Sequence, residues 1–304
     1  MEYAFILLAV FCFAGQFAFT KLYERSVSQT RVTTLVMLVV TSLLGTVLYL
    51  CIGGFRVEFS KTSVLLAALF ALVMIPYYMI GIKVLSLGSL AVYSMFMMLG
   101  GMLVPFFYGV LFLRESLSVP QIVGTVLLTG FIVLQALSGT DAKETSRGKR
   151  TKKNTIFFFA LCLTIFVLNG LTGVIAKGHQ VSAGKVDEIS FTVTSCALTA
   201  IFSLVLLALE FLRDRREKCR QVVRVLKAKP MCFMALVGAA NYTGNFLHLL
   251  AANDVPASVQ FPLVSGGVIV LSALVSFFAF REKLTVGEWI SIGGAFFATV
   301  LFAF

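Results

Sequence analysis

Arg114-Glu115-Ser116-Leu117-Ser118-Val119-Pro120-Gln121 recurs 167 residues later as Arg281-Glu282-Lys283-Leu284-Thr285-Val286-Gly287-Glu288. Each copy sets a Ser or Thr three residues before a Gln or Glu, and each stands at the start of an apolar run. This is the capping-box pattern: the hydroxyl accepts from a free backbone N–H of the first turn, and the N3 side chain reaches back to the cap. An uncapped amide is costly where a helix enters a bilayer, because no water is there to satisfy it. The two turns therefore mark two equivalent helix starts, and the chain reads outward from them as two related halves.

Around these turns, apolar blocks of about 20 residues alternate with short polar stretches, the length that crosses a hydrocarbon core about 30 Å thick at about 1.5 Å per residue. Ten spans are expected, at 3–20, 32–52, 63–83, 89–113, 119–138, 155–176, 189–210, 231–252, 255–280 and 285–303. Positions 139–154 are rich in Gly, Ser, Thr, Lys and Arg and read as a basic cytoplasmic linker between five-helix repeats at 1–138 and 155–304. The expected fold class is all-α, a polytopic membrane protein with ten transmembrane helices in a 5+5 inverted repeat. Inversion follows from parity, since five spans return the chain on the opposite side of the membrane. Many secondary transporters are built this way, with substrate near the midplane.

Composition agrees. Of 304 residues 59% are apolar and 13% charged, against roughly 45–50% and 25% in soluble domains. The net charge of +11 does not point to nucleic acid, because the basic residues lie in loops between apolar runs. Twenty of the 25 Lys and Arg follow odd-numbered spans, which assigns those loops to the cytoplasm and both termini to the outside. Anionic lipid is the expected partner of the basic loops. The six cysteines (Cys12, Cys51, Cys162, Cys196, Cys219, Cys232) include no C-x-x-C, so neither a disulfide framework nor a zinc site is indicated. The first apolar run lacks a basic leader and reads as a helix that stays. No G-x-x-x-x-G-K-[ST], H-E-x-x-H or aspartate cluster occurs, so the expectation is no enzyme, no cofactor and no metal.

The repeated E-x-L-[ST] turn, the five-plus-five count and the first-span pattern Gly15 to Lys21 resemble the drug/metabolite transporter superfamily, specifically its EamA-like ten-helix members. The family turn usually reads G-E-x-L-[ST], whereas both copies here carry arginine, Arg114 and Arg281, at the glycine position. The proline that commonly precedes that Glu is replaced by Met102 and Ile269. Many members carry their basic loops on the side of the termini, and here the bias is reversed. The resemblance implies a carrier in a bacterial plasma membrane, working by alternating access on a small metabolite, amino acid or drug-like solute. A lipid-linked substrate carrier or flippase subunit is the first alternative, and a membrane-embedded enzyme or a scaffold the next. A homodimer is compatible with either.

All fourteen acidic residues fall in loops or terminal turns, so no mid-membrane carboxylate is available for proton exchange. The eighth span is the most polar: Asn241, Asn245 and His248 share a helical face at i, i+4 and i+7. Their amides and imidazole could grip a zwitterionic or hydroxylated solute, or simply bond neighbouring helices. Gln16 with Thr20 in the first span, and Asn169 with Thr172 in the sixth, carry the same two readings, and Gln16 and Thr172 occupy comparable positions when Lys21 is aligned with Lys177. So do Tyr93 and Gln260, which are equivalent under the 167-residue offset. Lys21, Lys83 and Lys177 at span ends are expected to snorkel to the headgroups. Pro105 with Gly100 and Gly101, and Pro262 with Gly266 and Gly267, read either as hinges or as close packing points. Arg114, Glu115, Arg281 and Glu282 could form gating ion pairs, against an ordinary solvated turn.

Overall fold

A computed structural model describes residues 2–112, 114, 118–138, 152–213, 215–251, 255 and 257–301. Among them are eleven helices and no strand: α1 (Glu2–Ser26), α2 (Arg31–Ile52), α3 (Lys61–Leu87), α4 (Leu90–Phe112), α5 (Val119–Ser138), α6 (Lys152–Val181), α7 (Glu188–Arg213), α8 (Arg215–Val225), α9 (Ala228–Ala251), α10 (Ala257–Phe278) and α11 (Val286–Leu301). Seven of these, α1 to α4, α6, α7 and α10, are long and apolar enough to cross a membrane, and α5 and α11 contain shorter apolar helices. The chain is an all-helical membrane protein. α9 falls outside that set because its apolar run is broken by Asn241, Asn245 and His248.

Two expectations are corrected. The stretch between the expected seventh and eighth spans is not all loop, since it contains α8. Its apolar residues are too few for a span, but Val222 and Val225 lie on one side of it with Lys218 and Gln221, enough to dock a short amphipathic helix. α6 begins at Lys152, inside the stretch expected as linker, and positions 139–151 lie outside the described residues.

Both capping boxes form. At α5 the Gln121 N–H donates to Ser118 Oγ at 3.4 Å, and the Ser118 N–H donates to Gln121 Oε1 at 3.1 Å. At α11 the Glu288 N–H donates to Thr285 Oγ1 at 3.2 Å, and the Thr285 N–H donates to the Glu288 carboxylate at 2.7 Å. Arg114 and Arg281 both adopt positive φ, 55° and 53°. That left-handed conformation is the one glycine tolerates without steric cost.

The helices gather into two compact units, each drawn from both halves of the sequence. The first comprises Met1–Ala18, Leu87–Gly170 and Thr243–Phe304, and the second Phe19–Ser86 and Leu171–Tyr242. In the first unit α4 packs on α10, and α11 packs on both α5 and α10. Their shared core holds Met95, Leu99, Met102, Leu128, Ile269, Ala273, Ile292, Ala295 and Ala298. Within a bilayer such contacts are stabilised by van der Waals packing rather than by water release, so small residues that allow close approach matter most. Gly100 of α4 meets the backbone of Phe166 on α6, Gly170 meets Val104, and the Phe131 ring lies over Gly294. Gly266 rests against Thr299 and Phe296, and Gly267 against Val10. The glycines beside Pro105 and Pro262 are thus close packing points within continuous helices.

In the second unit α2 packs along α7, and α8 lies against both. The Thr30 hydroxyl at the α2 N-cap donates to Gln221 Oε1 of α8 at 2.9 Å. Glu210 in the last turn of α7 sits 3.4 Å from Lys218 of α8 and 3.8 Å from Arg31 of α2. At the other end of this unit the turn after α2 meets the turn after α6, with the Ser60 hydroxyl donating to the Gly184 carbonyl.

Candidate functional site

Six of the eight expected binding residues, Gln16, Tyr93, Asn169, Asn245, His248 and Gln260, belong to the first unit, while Asn241 and Thr172 belong to the second. α9 is uninterrupted from Ala228 to Ala251, so Asn241, Asn245 and His248 keep their common face. Asn245 is exposed, whereas Asn241 and His248 are half-buried.

Contacts within the first unit bring α1 against both α9 and α4. Gly244, next to Asn245, faces Cys12 and Phe13 of α1. Phe17, next to Gln16, packs edge-on against the Tyr93 ring at 5.5 Å. Gln16 and Tyr93 are themselves buried. Asn169 donates through Nδ2 to the Met97 carbonyl of α4 at 2.6 Å, and Gln260 donates through Nε2 to the His248 carbonyl. Both amides therefore commit an N–H to joining helices, and Gln260, 1% exposed, is sealed from any solute in this conformation. His248 also packs edge-on against Phe261 at 4.9 Å. Of the six residues in this unit Asn245 is the exposed one, Asn169 and His248 are half-buried, and Gln16, Tyr93 and Gln260 are buried.

The four expected gating residues fare differently. The Glu282 carboxylate accepts from the Leu90 N–H at 2.8 Å and from the Ser276 hydroxyl, so it caps the start of α4 from the end of α10. Arg114 and Arg281 are exposed, and Glu115 lies outside the described residues.

Lys21 departs from expectation. α1 continues to Ser26, so Lys21 is not at a helix end, and it is 3% exposed rather than snorkelled. Lys177 is half-buried, and Lys83, four residues before the end of α3, is exposed.

Two polar clusters of the second unit were not anticipated. Tyr242 of α9 packs its ring over Gly45, receives the Cys196 thiol at 3.4 Å, and stands edge-on to Tyr49 at 6.1 Å. On α7 the Ser195 and Ser203 hydroxyls are buried and, among the described residues, have no hydrogen-bond partner. The second cluster centres on His179, which stacks on Phe191 at 4.0 Å with Nε2 2.8 Å from Ser63 Oγ. The Val186 N–H also donates to Nε2, at 3.3 Å, so this nitrogen is the unprotonated one and His179 latches the α6–α7 turn to α3. The signal for it was Ser60-x-x-Ser63 facing a histidine just past the expected sixth span, a pairing visible only once the two turns meet. Among the described residues, no three His, Cys, Asp or Glu side chains gather to hold a metal ion.

No family model matches the sequence, and no curated protein matches it. The fold is similar to that of a protein of known crystal structure, with a TM-score of 0.57 and 16% identity across 98% of this chain and 99% of the other. At that identity the likeness is one of fold.

Proposed function

We propose that this chain is a secondary transporter, an EamA-like member of the drug/metabolite transporter superfamily, that moves a small organic solute by alternating access. In this reading ten helices cross a bacterial plasma membrane as a 5+5 inverted repeat, with both termini outside. The observation that carries it is the identity of the packed pairs. α2 packs on α7, α4 on α10 and α5 on α11, which are spans two and seven, four and nine, and five and ten. A helix beside a two-fold axis packs against its own mate, so inverted repeats generate these pairings.

Further observations support the same reading. Met102 with Ile269, Leu128 with Ala295, and Phe131 with Ala298 are mates under the 167-residue offset, and all six belong to one core. The turns that touch also have matching parity. Thr30 with Gln221 joins the loops after spans one and seven, and Leu90 with Glu282 joins those after three and nine. Ser60 with Gly184 joins those after two and six. Alternation across a membrane requires each such pair to share a face.

The substrate class in this reading rests on the exposed Asn245 and the half-buried His248. Asn245 and His248 offer neutral donors and acceptors, which suits a zwitterionic or hydroxylated solute. Catalysis has no part in the reading.

The test is a thermal-stability screen of detergent-purified protein against amino acids, nucleosides, sugars, sugar phosphates and organic cations, followed by flux in proteoliposomes. A ligand at a hundredfold excess over Kd stabilises the folded state by about 2.7 kcal/mol. Asn245→Ala should abolish both the shift and the flux at unchanged membrane abundance. Full flux in that variant would remove Asn245 from the site, and no flux of any compound would overturn the transport reading.

A further inference from the structure

We propose that α8 is a binding site for anionic phospholipid headgroups at the membrane surface. The inference rests on the membrane character of the fold and not on the transport reading.

α8 is held from one side. Val225 is fully buried, Gln221 receives the Thr30 hydroxyl, and Lys218 pairs with Glu210. These residues recur at three- and four-residue intervals and so define one face. They fix α8 where α2 begins and α7 ends, the level at which two apolar helices leave the hydrocarbon core. The opposite face is cationic. Arg216, Arg220 and Arg224 are all exposed and follow one another at i, i+4 and i+8. With Glu217 and Gln221 they line a groove of about 430 Å³. The Glu217 carboxylate accepts from Gln221 Nε2 at 3.2 Å and is the only acidic group between positions 215 and 229, against seven basic ones.

Guanidinium groups in a row suit phosphate, because each presents a planar fork of donors to two oxygens at once. A soluble phosphate would use the arginines alone. Here Cys219, Val223 and Leu226 are exposed in a strip beside the arginine row, with Val223 at 58% and Leu226 at 49%. A basic row flanked by an apolar strip is the pattern of a helix that rests in the headgroup layer, with phosphate on one side and glycerol and upper acyl carbons on the other. Charge complementarity and location therefore converge on an anionic lipid.

The test is native mass spectrometry of the full-length protein titrated with phosphatidylglycerol and with phosphatidylcholine, with glycerol 3-phosphate as soluble competitor. Wild type should bind phosphatidylglycerol more tightly, with an affinity that falls as salt is raised. R216Q/R220Q/R224Q should lose about fivefold per arginine, roughly a hundredfold together, for phosphatidylglycerol only. R56Q, in the turn after α2, should bind as wild type. Unchanged affinity in the triple variant overturns the proposal, and so does displacement of the lipid by an equal concentration of glycerol 3-phosphate. An equal loss for phosphatidylcholine would mean that the triple variant had lost its fold. R220Q alone then decides, with a fivefold loss supporting the site and none overturning it.

Discussion

Glu282→Ala removes the group that closes the start of α4. Its carboxylate accepts from the Leu90 N–H at 2.8 Å and from the Ser276 hydroxyl, while its own N–H donates to the Ser276 carbonyl at 3.0 Å. A hydrogen bond to a charged group contributes about 1.5–3 kcal/mol, and an anion at a helix N-terminus adds about 0.3–1 kcal/mol. Glu282 is half-buried, so solvent screens part of this, and the expected loss is about 2 kcal/mol. Glu282→Gln keeps an acceptor without the charge and should lose about 1 kcal/mol. The assay is thermal unfolding of the purified protein in neutral detergent. Added salt should narrow the gap between wild type and the Gln variant, because the charge interaction is screened and the hydrogen bond is not. Combining E282A with S276A should give less than the sum of the two, since the residues share one contact. A gating role for Glu282 would instead change the ratio of uptake to efflux, which capping leaves alone. Unfolding of E282A at the wild-type temperature would refute the reasoning.

Gly100→Ala would drive a Cβ to within 2.7 Å of Phe166 Cα, and backbone cannot yield as a side chain does; the expected loss is about 1–3 kcal/mol. Gly130→Ala in α5 meets nothing within 4 Å and should stabilise by up to about 1 kcal/mol, so thermal unfolding should move the two variants in opposite directions. Arg281→Gly relieves a left-handed residue that costs about 1–2 kcal/mol, less the greater freedom of glycine in the unfolded chain, for a net gain of about 0.5–1 kcal/mol. Arg281→Val should destabilise in the same assay. His179→Ala strands the Val186 N–H, at an expected cost of about 1–3 kcal/mol, and hydrogen exchange should quicken at Val186 while the core amides of α2 stay protected.

Helix positions were legible because a span is a local property, set by a run of apolar residues against a fixed bilayer thickness. The capping boxes were legible for the same reason, each lying within four consecutive residues. α8 was missed because its charge hides a docking face of only four residues, which has meaning only beside α2 and α7. Lys21 was misjudged by a turn and a half of helix, since α1 runs on to Ser26 where the apolar run weakens. For Asn169 and Gln260 the sequence offered both a solute and a neighbouring helix, and the partners that favour the helix, Met97 and His248, lie 72 and 12 residues away. Glu282 makes its cap across 192 residues, a distance no local pattern records.

The Phe131 ring over Gly294 limits how this core could be rebuilt. The position equivalent to Gly294 in the first half is Leu127, and the one equivalent to Phe131 in the second is Ala298. A chain assembled from two copies of the first half would bring a leucine into the space the Phe131 ring fills, and phenylalanine would replace Ala298, which is fully buried. The large residue and the cavity that receives it have been divided between the halves. Phe131 and Gly294 are thus obligate partners, and neither can be exchanged for its counterpart alone without losing the fit between them.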